Sequence, residues 1–570
     1  MANRRLQAGP FSMTYQNGFI RRLSHGDNEI LRMIYFALRD EHWGTFHLHL
    51  EDEKINVTPG GFSIEYKAFN KKNEQRILDW HATITGESNG TVTFRLEGKV
   101  LQDTLKNRAG FCVLHPLKQI AGIDCTIVHT DGKQTEGKFP FYIAAKNPFV
   151  DIAKMKWHCG GLDLELKFEG DIFETEDQRN WTDASFKTFC TPLSKPFPAW
   201  LKKGETISQV VIFTIAAGKT KPIETRETIT LKESEIIVPL PAVGIGSSAE
   251  VQTVTPAIVI KLDEIKFSHY RIEIDCTQPG WQGMFEREDK NAKAFQLPLE
   301  IVIHTTAKYK SEIETLLKLL KQQSATTWQI LFLTAGALVT DQGLIDYVSE
   351  IKNQFGDVRL GAGTNFNFTE INQNRFNPLS LDFISFSIDP QEHSFDDMSI
   401  IENIEAQGHA IESARKIYPG KQIHVCPLTL KKRNNPYTKD PNAVVMSEEQ
   451  RADPRQTEKF CGVFTLGSIK ALSMSGCASV TYYQTAGNQG IISAEGKTFP
   501  VFESMKKVLN GSSKIQNVTS SAALDVDAMI LFNSNQRELI IWNYTEETKR
   551  VTFNNKSFTI PAMEVVVSQL

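Results

Sequence analysis

The chain has 570 residues, 41% of them hydrophobic and 23% charged, a balance that excludes collagen-like, mucin-like and wholly disordered proteins. At about 100–200 residues per domain, it is too long for a single core. Its 63 Lys+Arg and 67 Asp+Glu leave a net charge of −4, so no global field gathers nucleic acid or an anionic membrane, and the expected partner is neutral or small.

Arg4 and Arg5 are followed by no apolar leader, and no stretch approaches 18 uninterrupted apolar residues. A cytoplasmic protein that binds neither membrane nor nucleic acid is expected. The eight cysteines (112, 125, 159, 190, 276, 426, 461 and 477) form no CxxC pair and no His/Cys cluster at zinc spacing. Free thiols are expected, with no metal and no cofactor.

From the start to residue 245 the sequence reads as all-β. Asn17-Gly18 and Asp131-Gly132 each sit between alternating runs and predict two-residue type I′ hairpin turns. The expected domain is a large antiparallel β-sandwich. The Pro/Gly/Ser-rich stretch from Pro239 to Ser248 reads as a linker.

Over 250–510 short apolar runs alternate with amphipathic segments. The runs are Ala257–Lys261, Tyr270–Asp275, Leu299–His304, Gln329–Thr334, Val358–Gly363, Phe383–Ile388, Gln422–Pro427 and Ser479–Gln484. Ser311–Lys321 reads as a helix opened by a capping box, Ser311 to Glu314. Eight buried parallel strands with interleaved helices predict a (β/α)8 TIM barrel. An open doubly wound sheet is the alternative, but no Gly-rich phosphate turn follows the first run. A final helix, Phe499–Leu509, leads to a small C-terminal β-sandwich module at 520–570, with strands near Ala528–Asn533, Glu538–Asn543, Arg550–Phe553 and Ala562–Val567. So small a module is expected to have little core of its own.

A barrel places its active site at the C-terminal strand ends, and these are polar. Strand five runs into Asn365 and Glu370, strand six into Asp389, Glu392 and His393, strand seven into Arg433, and strand eight into Tyr482-Tyr483-Gln484. A carboxylate, an imidazole, a guanidinium and phenols on one rim suit acid–base work on a polar neutral ligand. Each has a plainer reading: Glu370 as a helix-start acid, His393 as a structural histidine, Arg433 as solvated surface. Tyr482 and Tyr483 should point to opposite faces of their strand, so at most one faces the axis. The densest signal is Phe168–Thr188, with six acids in fifteen residues interrupted by Arg179 and Trp181. That mixture suits a sugar-like ligand, or else an acid–base network joining the sandwich to the barrel.

Several stretches together resemble the D-apionate lactonase family of sugar-lactone hydrolases. They are Asn107–Pro116, the Phe168–Thr188 segment, Phe368–Asn372, Pro390-Gln391 with His393, Pro427–Leu430 with Arg433, and Val480–Tyr483. The resemblance implies a glycoside-hydrolase-like build, with a mutarotase-like N-terminal sandwich, a barrel and a C-terminal β module. It also implies hydrolysis of D-apionolactone to D-apionate in apiose catabolism, by a carboxylic ester hydrolase acting on a small sugar lactone. On this reading Glu370 is the catalytic base, with Asn365 and His393 as catalytic partners. Glu174, Asp177, Arg179, Asn180, Asp183, Lys187, Arg433, Tyr483 and Gln484 are the expected substrate-binding residues. The sequence departs from the family pattern where Gln484 stands in place of a Glu and Gln373 in place of an Arg. Because Gln484 cannot ionise, any role given to a carboxylate there is lost. A glycoside hydrolase, which needs two carboxylates, and a non-catalytic carbohydrate-binding protein are the competing readings.

Overall fold

Alternation builds the first part of the chain: along Val92–Val100 the side chains of Val92, Phe94, Leu96 and Val100 are buried while Arg95, Glu97 and Lys99 are exposed. The computed structural model describes residues 3–218, 228–438, 444–510, 512–533 and 536–570. They form two compact units, one of Met1–Gln178 with Ala184–Thr225 and the other of Arg179–Asp183 with Arg226–Leu570.

The first unit holds an eight-stranded and a nine-stranded sheet. Their inner faces meet through aromatic rings: Phe36 of one sheet lies 5.2 Å from Trp80 and 6.2 Å from Phe94 of the other. This is the antiparallel sandwich expected. Asn17 and Gly18 both take positive φ, 48° and 87°, and join Phe11–Gln16 to Phe19–His25, as the type I′ turn requires. The second hairpin differs. Only Gly132 takes positive φ there, at 84°. Gly132 N donates to His129 O at 3.0 Å, and His129 N donates to Lys133 O at 2.8 Å. The loop is therefore three residues long, a turn closed by a left-handed glycine, and not the two-residue turn expected.

The second unit holds a closed barrel of parallel strands: β1 Ala242–Gly246, β2 Tyr270–Asp275, β3 Leu299–Thr305, β4 Thr327–Thr334, β5 Arg359–Gly363, β6 Phe383–Ile388, β7 Gln422–Leu428 and β8 Ser479–Ala486. Pairing of β1 with β8 closes it. Seven of the expected runs are barrel strands, and the eighth is not. Ala257–Lys261 lies in a helix, Pro256–Leu262, whose N-cap Thr255 accepts from Ile258 N at 3.4 Å and whose first residue is proline. The first strand is instead inside the stretch read as a linker. Glycine there serves close approach: a Cβ on Gly244 would lie 2.0 Å from His269 Nε2.

The expected capping box is also absent. The helix Tyr309–Gln322 starts before Ser311, whose Oγ donates to Lys308 O at 3.0 Å. Glu312 instead accepts from Thr306 N and Oγ1, at 2.8 and 2.5 Å.

The C-terminal module is larger than its sequence segment. Its seven-stranded sheet takes Ile229–Pro239, from before the barrel, between Lys549–Phe553 and Lys514–Ser520. It has its own core, which includes Leu231, Val518, Ile530, Ile541, Val551 and Phe553. The borrowed strand supplies Ile229 and Leu231 to that core, which is why residues 520–570 alone read as coreless. Its last strand is Val565–Gln569, later than expected. Lys470 of the helix Lys459–Ser475 reaches this sheet, donating to Val518 O at 2.7 Å and to Asp527 Oδ1 at 2.6 Å.

All eight cysteines are free, and only Cys112 and Cys276 are other than buried. No helix among the described residues is long and apolar enough to cross a membrane.

Candidate active site

The rim after β5 sets the centre of the site. The chain leaves Gly363 through Thr364–Asn367 and enters the short helix Phe368–Gln373, with Glu370 in its first turn. Glu370 is 3% exposed, and its Oε1 accepts from the Tyr437 hydroxyl at 2.6 Å. Burial raises the Glu370 carboxyl above its ordinary value, the Tyr437 bond lowers it, and the charge of Glu392 raises it. Tyr437 is pushed up by burial and by Glu370.

Asn365, Asn367, Glu370, Asp389, Glu392, Thr429, Lys432, Arg433, Asn434 and Tyr437 line one cleft, with Phe366, Ser387, Ile388 and Pro436 completing its wall. It contains roughly 360 Å³ of space, part of it open solvent. Glu392 accepts from Asn367 Nδ2 at 3.0 Å and from Lys432 Nζ at 3.1 Å. Burial, and then Glu392, hold the Asp389 carboxyl well above the usual range.

Beneath Asn365 and Arg433 lies Glu273, the inward residue near the end of β2. Its Oε2 accepts from Arg433 Nη1 at 2.8 Å and from Arg271 Nη2 at 2.9 Å. Its Oε1 accepts from Asn365 Nδ2 at 2.7 Å and meets His304 Nε2 at 2.9 Å. A second Arg433 nitrogen donates to Asn365 Oδ1. Burial opposes ionisation of Glu273, but Arg433, Arg271 and His304 outweigh it and hold the carboxyl well below the usual range. Arg433 and Asn365 are thereby fixed with donors to spare: a guanidinium has five N–H groups, and among the described residues only two bonds are committed. Deeper in the barrel, Glu300 accepts from Thr481 Oγ1 at 2.5 Å and meets His269 Nε2 at 3.2 Å. This layer belongs to the strand N-terminal halves, where barrels place stability and not chemistry.

Arg179–Asp183 belong to the barrel unit and are tied to it residue by residue. Arg179 Nη1 meets His409 Nδ1 at 3.1 Å, and burial together with that charge lowers His409 to about 4. Asn180 Oδ1 accepts from Asn372 Nδ2 at 2.9 Å, on the helix that carries Glu370. Thr182 Oγ1 donates to Asp389 O at 3.4 Å. Asp183 Oδ2 meets His393 Nδ1 at 2.5 Å, and its Oδ1 accepts from Asn403 Nδ2 at 3.2 Å. Trp181 stands edge-on to His393, with ring centroids 5.6 Å apart, and its Nε1 donates to the Tyr437 hydroxyl at 3.4 Å.

Of the expected site residues, Glu370, Asn365 and Arg433 share the cleft. Arg179, Asn180, Asp183 and His393 form the network just described, outside the cleft wall. Glu174, Asp177 and Lys187 belong to the first unit. There Glu174 accepts from Leu193 N at 2.5 Å, Asp177 accepts from Ala144 N at 3.0 Å, and Lys187 pairs with Glu176. Tyr483 is 2% exposed, and its hydroxyl bonds Thr465 at 2.8 Å, while Tyr482 bonds Ser468 at 2.8 Å. Both phenols thus meet the helix Lys459–Ser475. The expected alternation fails because Tyr483 takes φ 49° and the β1–β8 register slips past it. Gln484 accepts from Ala249 N at 3.0 Å and lines a separate recess with Glu250, Glu448 and Glu449.

The sequence places Asp389 and Glu392 on the rim but assigns them no role, and it gives none to Glu273, Lys432 or Tyr437. Glu273 and Arg271 carried a usable signal: Arg271, Glu273 and Asp275 put three charges at alternate positions of a run whose other residues are Tyr270, Ile272 and Ile274. Tyr437 carried none, since it lies in a loop nine residues beyond the end of β7 at Leu428.

Fold and site together define a sandwich-and-barrel protein with a cleft of carboxylates and a guanidinium at the strand C-terminal ends. Residues 1–218 match the family model of the D-apionate lactonase N-terminal domain, and residues 243–513 match that of its TIM barrel domain. The chain is 27% identical over 515 residues to a D-apionate lactonase from Brucella anthropi, with 86% of this chain and 84% of the relative covered. The chain belongs to the D-apionate lactonase family. Solved structures give slighter likenesses. A GH30 endoxylanase from Clostridium papyrosolvens C71 is 10% identical, with 60% of this chain and 98% of that one covered, at a TM-score of 0.42. A beta-arabinopyranosidase is 8% identical, with 100% and 98% covered, at 0.30. Neither bears on activity.

Proposed function

We propose that this protein hydrolyses a sugar lactone, D-apionolactone to D-apionate, as a carboxylic ester hydrolase of apiose catabolism. The observation that carries the proposal is the state of Glu370. It is buried and raised by that burial, and it keeps one carboxyl oxygen without a hydrogen bond among the described residues, on a cleft that also presents Arg433. A carboxylate of raised pKa is a stronger base, and a base near the working pH is the efficient one. Glu370 takes a proton from water as it attacks the lactone carbonyl. The spare N–H groups of Arg433 stabilise the oxyanion of the tetrahedral intermediate, and Asn365 fixes the guanidinium for that task. His393 and Asp183 orient Trp181, whose indole steadies Tyr437 on Glu370. Asn180 supports the same helix through Asn372. An uncharged lactone suits a cleft rich in acids, and its anionic product is repelled from it.

A glycoside hydrolase remains the competitor, favoured by one observation: Glu370, Asp389 and Glu392 share a cleft, and that chemistry uses two carboxyl groups. Incubation with a panel of aldonolactones and, in parallel, with aryl glycosides separates the two. Acid release from a γ-lactone with no phenol release supports the lactonase. Phenol release without lactone turnover overturns it.

A further inference from the structure

Asp389 follows directly on β6 and lines the same cleft as Glu370. It is 5% exposed. Its Oδ1 accepts from Gln391 N at 3.3 Å, and its Oδ2 takes no hydrogen bond among the described residues. Glu370 presents the same combination of a buried carboxyl, one partnered oxygen and one free oxygen. Lone acids of this kind are costly to bury unless they carry a proton or meet a ligand. The charged groups that act on Asp389 are Glu392 and Asp183, which oppose its ionisation, and Lys432, which favours it. Lys432 is itself committed to Glu392, so Asp389 has no paired cation among the described residues, whereas Glu370, lining the same cleft, has the Tyr437 hydroxyl to favour its carboxylate. Two carboxyls whose surroundings push them to different roles form the usual pattern of an acid–base pair.

We infer that Asp389 is the second catalytic group of this cleft, the acid that protonates the ring oxygen as the lactone opens. The inference rests on the lactonase reading and deepens it. The water oxygen bonds to the carbonyl carbon and its proton goes to Glu370. The intermediate then collapses, the bond from the carbonyl carbon to the ring oxygen breaks, and its electron pair leaves on that oxygen, which takes the Asp389 proton. Glu370 now holds the proton taken from water and Asp389 is ionised; transfer of a proton from Glu370 to Asp389 through water in the open cleft restores both groups, and the new carboxylic acid loses its own proton to solvent.

The test compares an aldonolactone with its thiolactone analogue, whose sulfur leaves with little need of a proton. Asp389→Asn is expected to lose about 100-fold in kcat on the lactone and less than about 5-fold on the thiolactone, whereas Glu370→Gln loses activity on both. Equal losses on the two substrates, or no loss on either, overturn the inference. If Asp389→Asn does not fold, the wild type decides: the lactone profile should fall at alkaline pH where the thiolactone profile does not, and matching profiles overturn it. The infrared carbonyl band of a protonated carboxyl at pH 7, lost in Asp389→Asn, checks the acid without any turnover. A wild type that opens no aldonolactone overturns the lactonase reading and this proton transfer with it. A wild type that turns over while Asp389→Asn matches it overturns the inference alone.

Discussion

The Tyr437 hydroxyl donates to Glu370 Oε1 at 2.6 Å, so a buried carboxyl of the cleft is steered by a residue from the loop after β7. That bond favours the ionised carboxylate. In Tyr437→Phe the carboxyl therefore rises further, and the acid limb of the kcat/KM profile moves toward neutral pH. The rate at neutral pH falls about tenfold from lost positioning. A pH–rate profile of the variant against wild type checks both.

Glu273 balances two guanidiniums. Glu273→Gln leaves Arg271 and Arg433 without their countercharge and is expected to cost about 3 kcal/mol of stability, measured by denaturant unfolding at neutral pH. The sign with pH is fixed. A carboxyl held below its unfolded value of about 4.3 stabilises the fold above that value, and the contribution is lost as pH falls through the lower folded value. The gap between wild type and variant should therefore narrow in acid.

Asp183 ties the 179–183 segment to His393 and Asn403. Asp183→Ala is expected to cost about 2 kcal/mol and to lower kcat/KM roughly fivefold through Trp181 and Tyr437, a modest effect for a residue off the cleft wall. Unfolding curves and steady-state kinetics on the same preparation check it.

Gln484 tests whether a carboxylate at the end of β8 would matter. In Gln484→Glu a new carboxylate joins Glu250, Glu448 and Glu449 in their recess, and like charges repel. Melting temperature should drop more at pH 8 than at pH 5, while lactone kcat/KM stays within about threefold of wild type. A large gain in activity would place the chemistry at the end of β8 instead.

Much of the fold was legible because its signals are local and periodic. Alternation gave the sandwich, and seven apolar runs gave barrel strands β2–β8. Errors arose where a tertiary contact overrode local preference. Gly244 reads as part of a linker but is a strand residue pressed on His269. Ile229–Pro239 reads as sandwich but pairs with Lys514–Ser520, across the whole barrel in sequence. The site was legible to the extent that it sits at strand ends: Asn365, Glu370 and Arg433 follow from the barrel rule. Tyr483 was misjudged because a bulge turned it outward, and alternation cannot foresee a bulge. Tyr437 was invisible because nothing in a loop sequence says which rim residue it reaches.

Glu370 as base is the central claim, and the kcat/KM of Glu370→Gln on the aldonolactone that the wild type opens best tests it most directly. The account predicts a loss of about 10³-fold with no loss of melting temperature. A carboxyl raised by burial stabilises the fold only while protonated, that contribution is lost as pH rises through the folded value, and the amide is spared that loss. Full retention of activity in a folded Glu370→Gln variant would contradict it.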